Sequence, residues 1–147
     1  MALEYNKKVM QYFLNPKNVG EIKNPDGVGK VGNLTCGDVM WLFVKIEKDK
    51  IKDIKFKTLG CAAAIATSSI ITELAKGKTI KDALKLSNKD VVKALGSLPV
   101  IKHHCSLLAE EALCEAIYDY LRKKKRPIPK FLEKKHQKIK KAGNVCK

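Results

Sequence analysis

VMWLFVKIEKDKIKDIKFKTLG, residues 39–60, is the stretch of sequence that decides the fold. Apolar and polar residues alternate in both of its halves, which is the pattern of β-strands with one buried face. The polar residues 47–50 separate the halves and predict a turn. The stretch therefore predicts an antiparallel hairpin, whose apolar face consists of Leu42, Val44, Ile46, Ile54, Phe56 and Thr58.

Helices are predicted after the hairpin. Residues 62–76 are small or apolar and end before Gly77, a favourable residue just beyond a helix. Capping spacings that begin at Thr79 and Ser87 predict two short helices, and residues 104–121 predict a long amphipathic helix. The acidic residues on the polar side of this long helix, which we expect to face water, are Glu111, Glu115 and Asp119.

The remaining segments complete the predicted fold. Apolar residues recur every four positions from Tyr5 to Phe13 and predict a short first helix. A weak strand signal follows at residues 28–34, and residues 130–142 predict a last, polar helix. This order predicts an α+β fold, in which a small three-stranded antiparallel sheet packs against helices and a long helix lies towards the C-terminus.

The composition is that of a folded, water-soluble domain. The chain has 147 residues, of which 45% are apolar and 31% charged, enough for one core without disulfide bonds. No apolar run approaches the roughly 18–20 residues that span a membrane, and the first residues lack the apolar centre of a signal peptide. We therefore expect a cytoplasmic protein without a membrane partner.

Most of the positive charge lies in the tail. Residues 121–147 contain twelve basic residues and one acidic residue, a net charge of +11. Residues 1–120 contain eighteen basic and fourteen acidic residues, a net charge of +4. Such a tail is either a solvated, lysine-rich helix or a binding surface for nucleic acid or an acidic protein. Phe131 is its one aromatic residue, which argues against nucleic acid, because nucleic-acid surfaces combine charge with several aromatic rings.

Three of the five cysteines lie at predicted element boundaries. Cys36 precedes the first hairpin strand, Cys61 lies between a strand and a helix, and Cys105 begins the long helix. Helix N-termini favour thiolates, and thiolate is the form that binds metal ions. Asp38 and His104 lie beside these cysteines and add oxygen and nitrogen donors. The alternative interpretation is that the three cysteines are small core residues.

Spacing alone does not identify a metal. No CxxC pair occurs, so zinc-finger spacing is absent, and both zinc and iron–sulfur clusters accept thiolates from separate parts of a fold. Cys114 lies near the apolar stripe of the long helix and Cys146 lies in the tail, so neither is expected to be a ligand. A thiol enzyme is a further alternative, although no set of nucleophile, base and orienting residue can be identified.

Five motifs follow one another in a specific order along the chain. They are FLNPKNVG at 13–20, CGDVM at 36–40, FKTLGCA at 56–62, AIATSS at 64–69 and HCSLLAE at 104–110. In this order they resemble the U-type iron–sulfur cluster assembly scaffolds, the family of IscU and of the N-terminal domain of NifU. The resemblance covers residues 3–125, so we expect one scaffold domain at 1–125 and a basic C-terminal extension at 126–147.

The resemblance implies cluster assembly and not enzymatic catalysis. Cys36, Cys61 and Cys105 would be the cluster ligands. Asp38 and His104 would be the candidates for the fourth position and for assisting cluster release. The cofactor would be an iron–sulfur cluster, [2Fe–2S] by expectation, with zinc as a substitute.

The same resemblance implies partners. A cysteine desulfurase of the IscS/NifS type would donate sulfur to Cys105, the expected persulfide acceptor, whose thiol we expect near the surface. Apo-proteins would accept the finished cluster, and a homodimer is compatible with the resemblance. Residues 98–102 read LPVIK where the family has LPPVK, and the missing second proline argues against a dedicated Hsp70-type chaperone.

Two branches of the family differ between the second and third cysteines. The segment between Cys61 and Cys105 has no long insertion, which resembles the IscU branch and not the zinc-containing SufU branch. The presence of His104 likewise resembles the IscU branch. A zinc-binding sulfur-transfer protein with the same ligands remains the main alternative, and a basic nucleic-acid-binding module is a weaker one.

Overall fold

The chain folds as a three-stranded sheet packed against helices. The computed structural model describes residues 5–33, 38–98 and 103–143. For residues 33, 103, 104, 142 and 143 it describes the backbone alone. This α+β architecture confirms the predicted fold class. No helix in these ranges is long and apolar enough to cross a membrane. The strands are β1 (Gly27–Asn33), β2 (Asp38–Glu47) and β3 (Lys50–Leu59), and the helices are α1 (Lys7–Leu14), α2 (Ala62–Ala75), α3 (Ile80–Ala83), α4 (Asn88–Ala94), α5 (His103–Lys123) and α6 (Lys130–Gly143).

The sheet has the order β1-β2-β3 and is antiparallel throughout, with the predicted hairpin formed by β2 and β3. Lys48 and Asp49 occupy its turn with φ of 52° and 59°. Both residues are therefore left-handed, which is the geometry that matches the twist of a two-residue hairpin. Leu42 lies opposite Phe56 in the register, and both side chains belong to the buried face.

Glycines explain why the sequence signal for β1 is weak. Gly27 and Gly29 lie directly under α5, and a Cβ atom on Gly29 would lie 2.2 Å from the carbonyl oxygen of Ala112. Any side chain there would push the helix away from the sheet. Glycine is therefore needed at these positions, although it is a poor strand former.

α6 covers the side of α5 that the sequence pattern assigns to water. Lys135 Nζ lies 3.1 Å from a carboxylate oxygen of Glu110, and His136 Nδ1 lies 2.6 Å from one of Glu115. The His136 ring also stacks on Tyr118, with ring centroids 3.8 Å apart. The prediction that Glu115 faces water is therefore wrong, because α6 leaves its side chain 11% exposed.

The docking of α6 depends on two apolar residues within a lysine-rich segment. Leu132 and Ile139 are seven positions apart, so they lie on the same side of the helix, and both are buried in the main core. Phe131, the neighbour of Leu132, is 54% exposed. The spacing of the two apolar residues was the sequence signal for a docked helix, and the high lysine content obscured it.

The first prediction compares Leu132→Ala with Phe131→Ala. The Leu132 variant should lower the free energy of unfolding by about 2–4 kcal/mol, because it leaves a cavity in the core. The Phe131 variant should lower it by less than about 1 kcal/mol, because that side chain is already half in water. Urea denaturation of both variants checks this. Equal losses would show that α6 is not docked.

Candidate functional site

Cys61 lies in the short connection between the end of β3 and the start of α2. It follows Gly60 at the end of β3 and is the N-cap residue of α2, with an extended backbone (φ −83°, ψ 178°). Its carbonyl oxygen accepts the first hydrogen bond of the helix, from the amide of Ile65. The side chain is partly exposed. The sulfur therefore belongs to a partly exposed residue at the positive end of the α2 dipole.

Cys105 lies in the first turn of α5, 44 residues further along the chain, and is fully buried. Its Sγ atom is 3.8 Å from Sγ of Cys61, well beyond a disulfide bond of about 2.05 Å. A tetrahedral metal centre with metal–sulfur bonds of about 2.3 Å separates two of its sulfur ligands by about 3.8 Å. The two thiols are thus spaced as ligands of one metal ion would be.

The buried side chain of Thr67 links the N-terminal turns of α2 and α5. The Thr67 hydroxyl of α2 lies 2.8 Å from the carbonyl oxygen of Ala63 in its own helix and 3.3 Å from that of Cys105 in α5. Its side chain is fully buried. This contact joins the helices next to the sulfur pair. Sequence reasoning gave Thr67 no role of its own, and the signal available was the run of hydroxyl residues at 67–69 within a mostly small and apolar segment.

Asp38 lies against Gly60, the residue before Cys61, at the end of the sheet. It is the first residue of β2, and its Oδ1 atom lies 2.6 Å from the point that a Cβ atom on Gly60 would occupy. The carboxylate therefore fills the space that the missing side chain leaves. Glycine at 60 is required for this close approach, since any larger residue would displace the carboxylate.

Cys36 and His104 are the other two predicted ligands. Cys36 lies outside the described residues. The backbone of His104 belongs to α5, immediately before Cys105, but its side chain is outside what the structure describes. Among the described side chains no group of three or more His, Cys, Asp or Glu residues is close enough to hold a metal ion. Convergence of all three cysteines on one site stays a prediction.

Cys114 and Cys105 are both buried. Cys114 is 2% exposed, and burial raises the pKa of its thiol to about 11, in keeping with the expected packing role. The expectation that the Cys105 thiol lies near the surface is wrong, because the first turn of α5 packs inward against α2. Cys61 is the more exposed thiol of the pair. Cys146 lies outside the described residues.

Sequence comparison places the chain among known proteins. The family model described as "NifU-like N terminal domain" matches residues 4–127. The iron–sulfur cluster assembly scaffold protein IscU 1 of Archaeoglobus fulgidus is 58% identical over 119 residues, which are 81% of this chain and 78% of that protein. The IscU scaffold protein of Aquifex aeolicus is 51% identical over 128 residues, 86% of this chain and 82% of that protein.

Solved structures share the fold. A candidate iron–sulfur cluster assembly scaffold protein of the SUF system from Fervidobacterium islandicum has a TM-score of 0.63 at 27% identity, over 77% of this chain and 96% of that one. The N-terminal part of a NifU-like protein from Brucella abortus has a TM-score of 0.64 at 19% identity, over 80% of this chain and 94% of that one. At this identity the likeness shows the fold alone. Because the family model spans most of the chain and the two IscU proteins share more than half of the aligned residues, this chain belongs to the NifU-like N-terminal domain family.

Proposed function

We propose that this protein is a scaffold on which an iron–sulfur cluster is assembled and from which it is transferred to acceptor proteins. The observation that carries the proposal is the pair of sulfurs on Cys61 and Cys105, spaced at 3.8 Å like two ligands of one metal ion. Both lie at helix N-termini, where the helix dipoles favour thiolates. The names of the IscU relatives support the same role.

Cys36 is the proposed third ligand. It lies two residues before Asp38, and consecutive Cα atoms are about 3.8 Å apart, so its Cα atom is within about 7.6 Å of that of Asp38. Asp38 in turn packs against Gly60, the neighbour of Cys61. The length of the chain between them therefore allows Cys36 to reach the same site. Three soft thiolates from three segments would bind the cluster as cargo.

The fourth ligand is proposed to differ from the other three. The Asp38 carboxylate is a harder donor than a thiolate and binds iron less tightly in a sulfur-rich site. A weak member makes the cluster easier to release, which a scaffold requires. His104 is the alternative fourth ligand, because it precedes Cys105 and an imidazole can bind iron or move a proton near it.

Sulfur is proposed to come from a cysteine desulfurase as a persulfide. The accepting thiolate attacks the outer sulfur, the donor's S–S bond breaks, the desulfurase leaves as a thiolate, and the acceptor becomes Cys–S–SH. Cys105 is the proposed final acceptor, but Cys61 is the more exposed thiol. We therefore propose that Cys61 receives the sulfur first and that Cys105 takes it over by the same exchange across 3.8 Å.

Zinc binding with the same ligands is the competing function. Tetrahedral zinc accepts two thiolates at this spacing as readily as iron does. The two functions differ in their products, since a zinc protein binds no inorganic sulfide. Counting bound metal and sulfide therefore separates them.

The second prediction concerns the ligand set. Anaerobic loading with iron and sulfide should produce visible absorption and bound sulfide in the wild type. Cys36→Ser, Cys61→Ser and Cys105→Ser should each lower cluster affinity by about tenfold or more. Cys114→Ala is the matched control and should load normally, because that thiol is a packing residue. Zinc retention without sulfide, or normal loading of the three serine variants, would contradict the proposal.

The third prediction concerns release. Asp38→Ala should still assemble a cluster but transfer it to an acceptor apo-protein about tenfold more slowly, because the weak ligand is lost. Glu47→Ala, at the far end of the same strand, should transfer at the wild-type rate. Absorption changes during transfer give both rates. Faster loss from the Asp38 variant would argue against this role.

The fourth prediction concerns sulfur delivery. After a short incubation with a desulfurase and cysteine, mass spectrometry should find added sulfur on Cys61, and after a longer one on Cys105. In Cys61→Ser the labelling of Cys105 should slow by about tenfold, because a buried thiol reacts slowly with an outside donor. Unchanged labelling of Cys105 in that variant would show direct delivery to Cys105.

A further inference from the structure

A groove of about 630 Å³ lies where the hairpin turn, α3, the end of α5 and the start of α6 meet. This size falls in the range of ligand-binding clefts, about 300–1,000 Å³. The last part of its wall comes from residues beyond 127, where the match to the family model ends. The apolar residues that line it are Ile80, Leu84, Leu121, Pro127, Pro129 and Phe131.

The groove is at the opposite end of the molecule from the cysteine pair. Leu121 lies sixteen residues beyond Cys105 on α5, which is about 24 Å along the helix axis. Asp49, which also lines the groove, is in the hairpin turn, whereas Asp38 begins the same hairpin at the cysteine end. A partner bound in the groove would therefore leave Cys61 accessible.

The groove wall is held in place before any partner binds. Arg126 pairs with Asp49, with Nη2 and Oδ2 3.3 Å apart, and its Nη1 lies 3.3 Å from the hydroxyl of Tyr120. Pro127 and Pro129 restrict the backbone of the connection between α5 and α6. Phe131 projects from the first turn of α6 and is 54% exposed. Covering this ring would remove apolar surface from water without a prior rearrangement.

Two lysines that lack a carboxylate partner among the described residues lie at or beside the apolar floor. Arg126 is neutralised by Asp49, and Lys85 lies 3.8 Å from Asp82. Lys81 at the groove and Lys130 beside Phe131 are exposed and form no ion pair with any carboxylate in the described parts of the chain. The surface therefore complements a segment that carries apolar side chains between acidic ones.

Two other occupants fit the observations less well. Single-stranded nucleic acid binds to several stacked aromatic rings, and Phe131 is the one aromatic side chain among the described residues that line this groove. A second copy of the chain would bring a further net charge of +15 to an already positive surface. Charge complementarity therefore favours an acidic protein segment.

We propose that this groove binds an acidic, apolar-anchored segment of a partner protein and holds that partner at the end of the molecule opposite the cysteine pair. The proposal does not depend on cluster assembly, because no residue of the groove belongs to the proposed ligand set. The proposed groove also gives part of the basic tail a role in partner binding, beyond its packing on α5.

The test uses a synthetic twelve-residue peptide with leucine at every fourth position and glutamate between, titrated into the full ¹⁵N-labelled chain. Amide shifts should change at residues 79–85 and 121–131 and not around Cys61 and Cys105. Phe131→Ser and Lys81→Glu should each weaken binding by about tenfold, as anchor residues of an interface do. Peptides with lysine for glutamate, or serine for leucine, should bind at least about tenfold more weakly.

Matched controls separate the groove from general attraction. Leu14→Ser removes another exposed apolar residue, 74% exposed on α1, and Lys138→Glu changes the charge of α6 away from the groove. Both should leave the affinity within about twofold, as distant surface changes do. Cys61→Ser should bind the peptide normally even if it abolishes cluster loading, so failure of the proposed function and failure of this inference can be distinguished.

A cellular experiment identifies the natural occupant. Phe131→p-benzoylphenylalanine in the full chain should form a photo-crosslink whose protein segment, identified by mass spectrometry, contains apolar residues flanked by Asp or Glu. Crosslinks to nucleic acid, to a second copy of the chain or to a basic segment would overturn the proposal. So would the absence of any crosslink, equal binding of the lysine peptide, or undiminished binding by Phe131→Ser.

Discussion

The contact between α5 and the glycines of β1 is the constraint on which the rest of the structure depends. Gly27 and Gly29 let the helix backbone rest directly on the strand, since a Cβ atom at either position would lie 2.2 Å from a carbonyl oxygen of α5. α5 thereby becomes the axis of the molecule. Cys105 is in its first turn, Leu121 lines the groove near its far end, and α6 packs on its outer side. A shift of this helix would move all three features together.

Some basic residues of the tail form ion pairs within the fold, and others are exposed to water. Arg122 and Lys123 pair with Asp119, Arg126 pairs with Asp49, and Lys135 pairs with Glu110, so part of the charge stabilises the fold. Exposed pairs of this kind contribute roughly 0–1 kcal/mol each, whereas the pair at the buried Glu110 prevents an uncompensated charge in the core. Other lysines of α6 remain in water and are available for a partner.

In the proposed site, two thiolates would bind the cluster strongly and one carboxylate would bind it weakly. The sulfurs of Cys61 and Cys105 are held by two rigid helices that Thr67 joins, which favours one fixed spacing. Asp38 lies at a strand end against a glycine, and in the proposed site its carboxylate would be the harder and more weakly bound donor. Separating this site from the groove by most of the length of α5 would let assembly and partner binding proceed at the same time.

Local patterns in the sequence determined the elements and the choice of candidate site residues. Alternation predicted the hairpin, four-residue spacing predicted α5, and Cys61 and Cys105 stood out because they lie at element boundaries. The tertiary structure alone decided what each element touches. It buried Glu115 under α6, buried Cys105 against α2, and brought two sulfurs 44 residues apart to 3.8 Å. Periodicity records which side of an element is apolar, but burial by a distant segment is a property of packing that no local pattern contains.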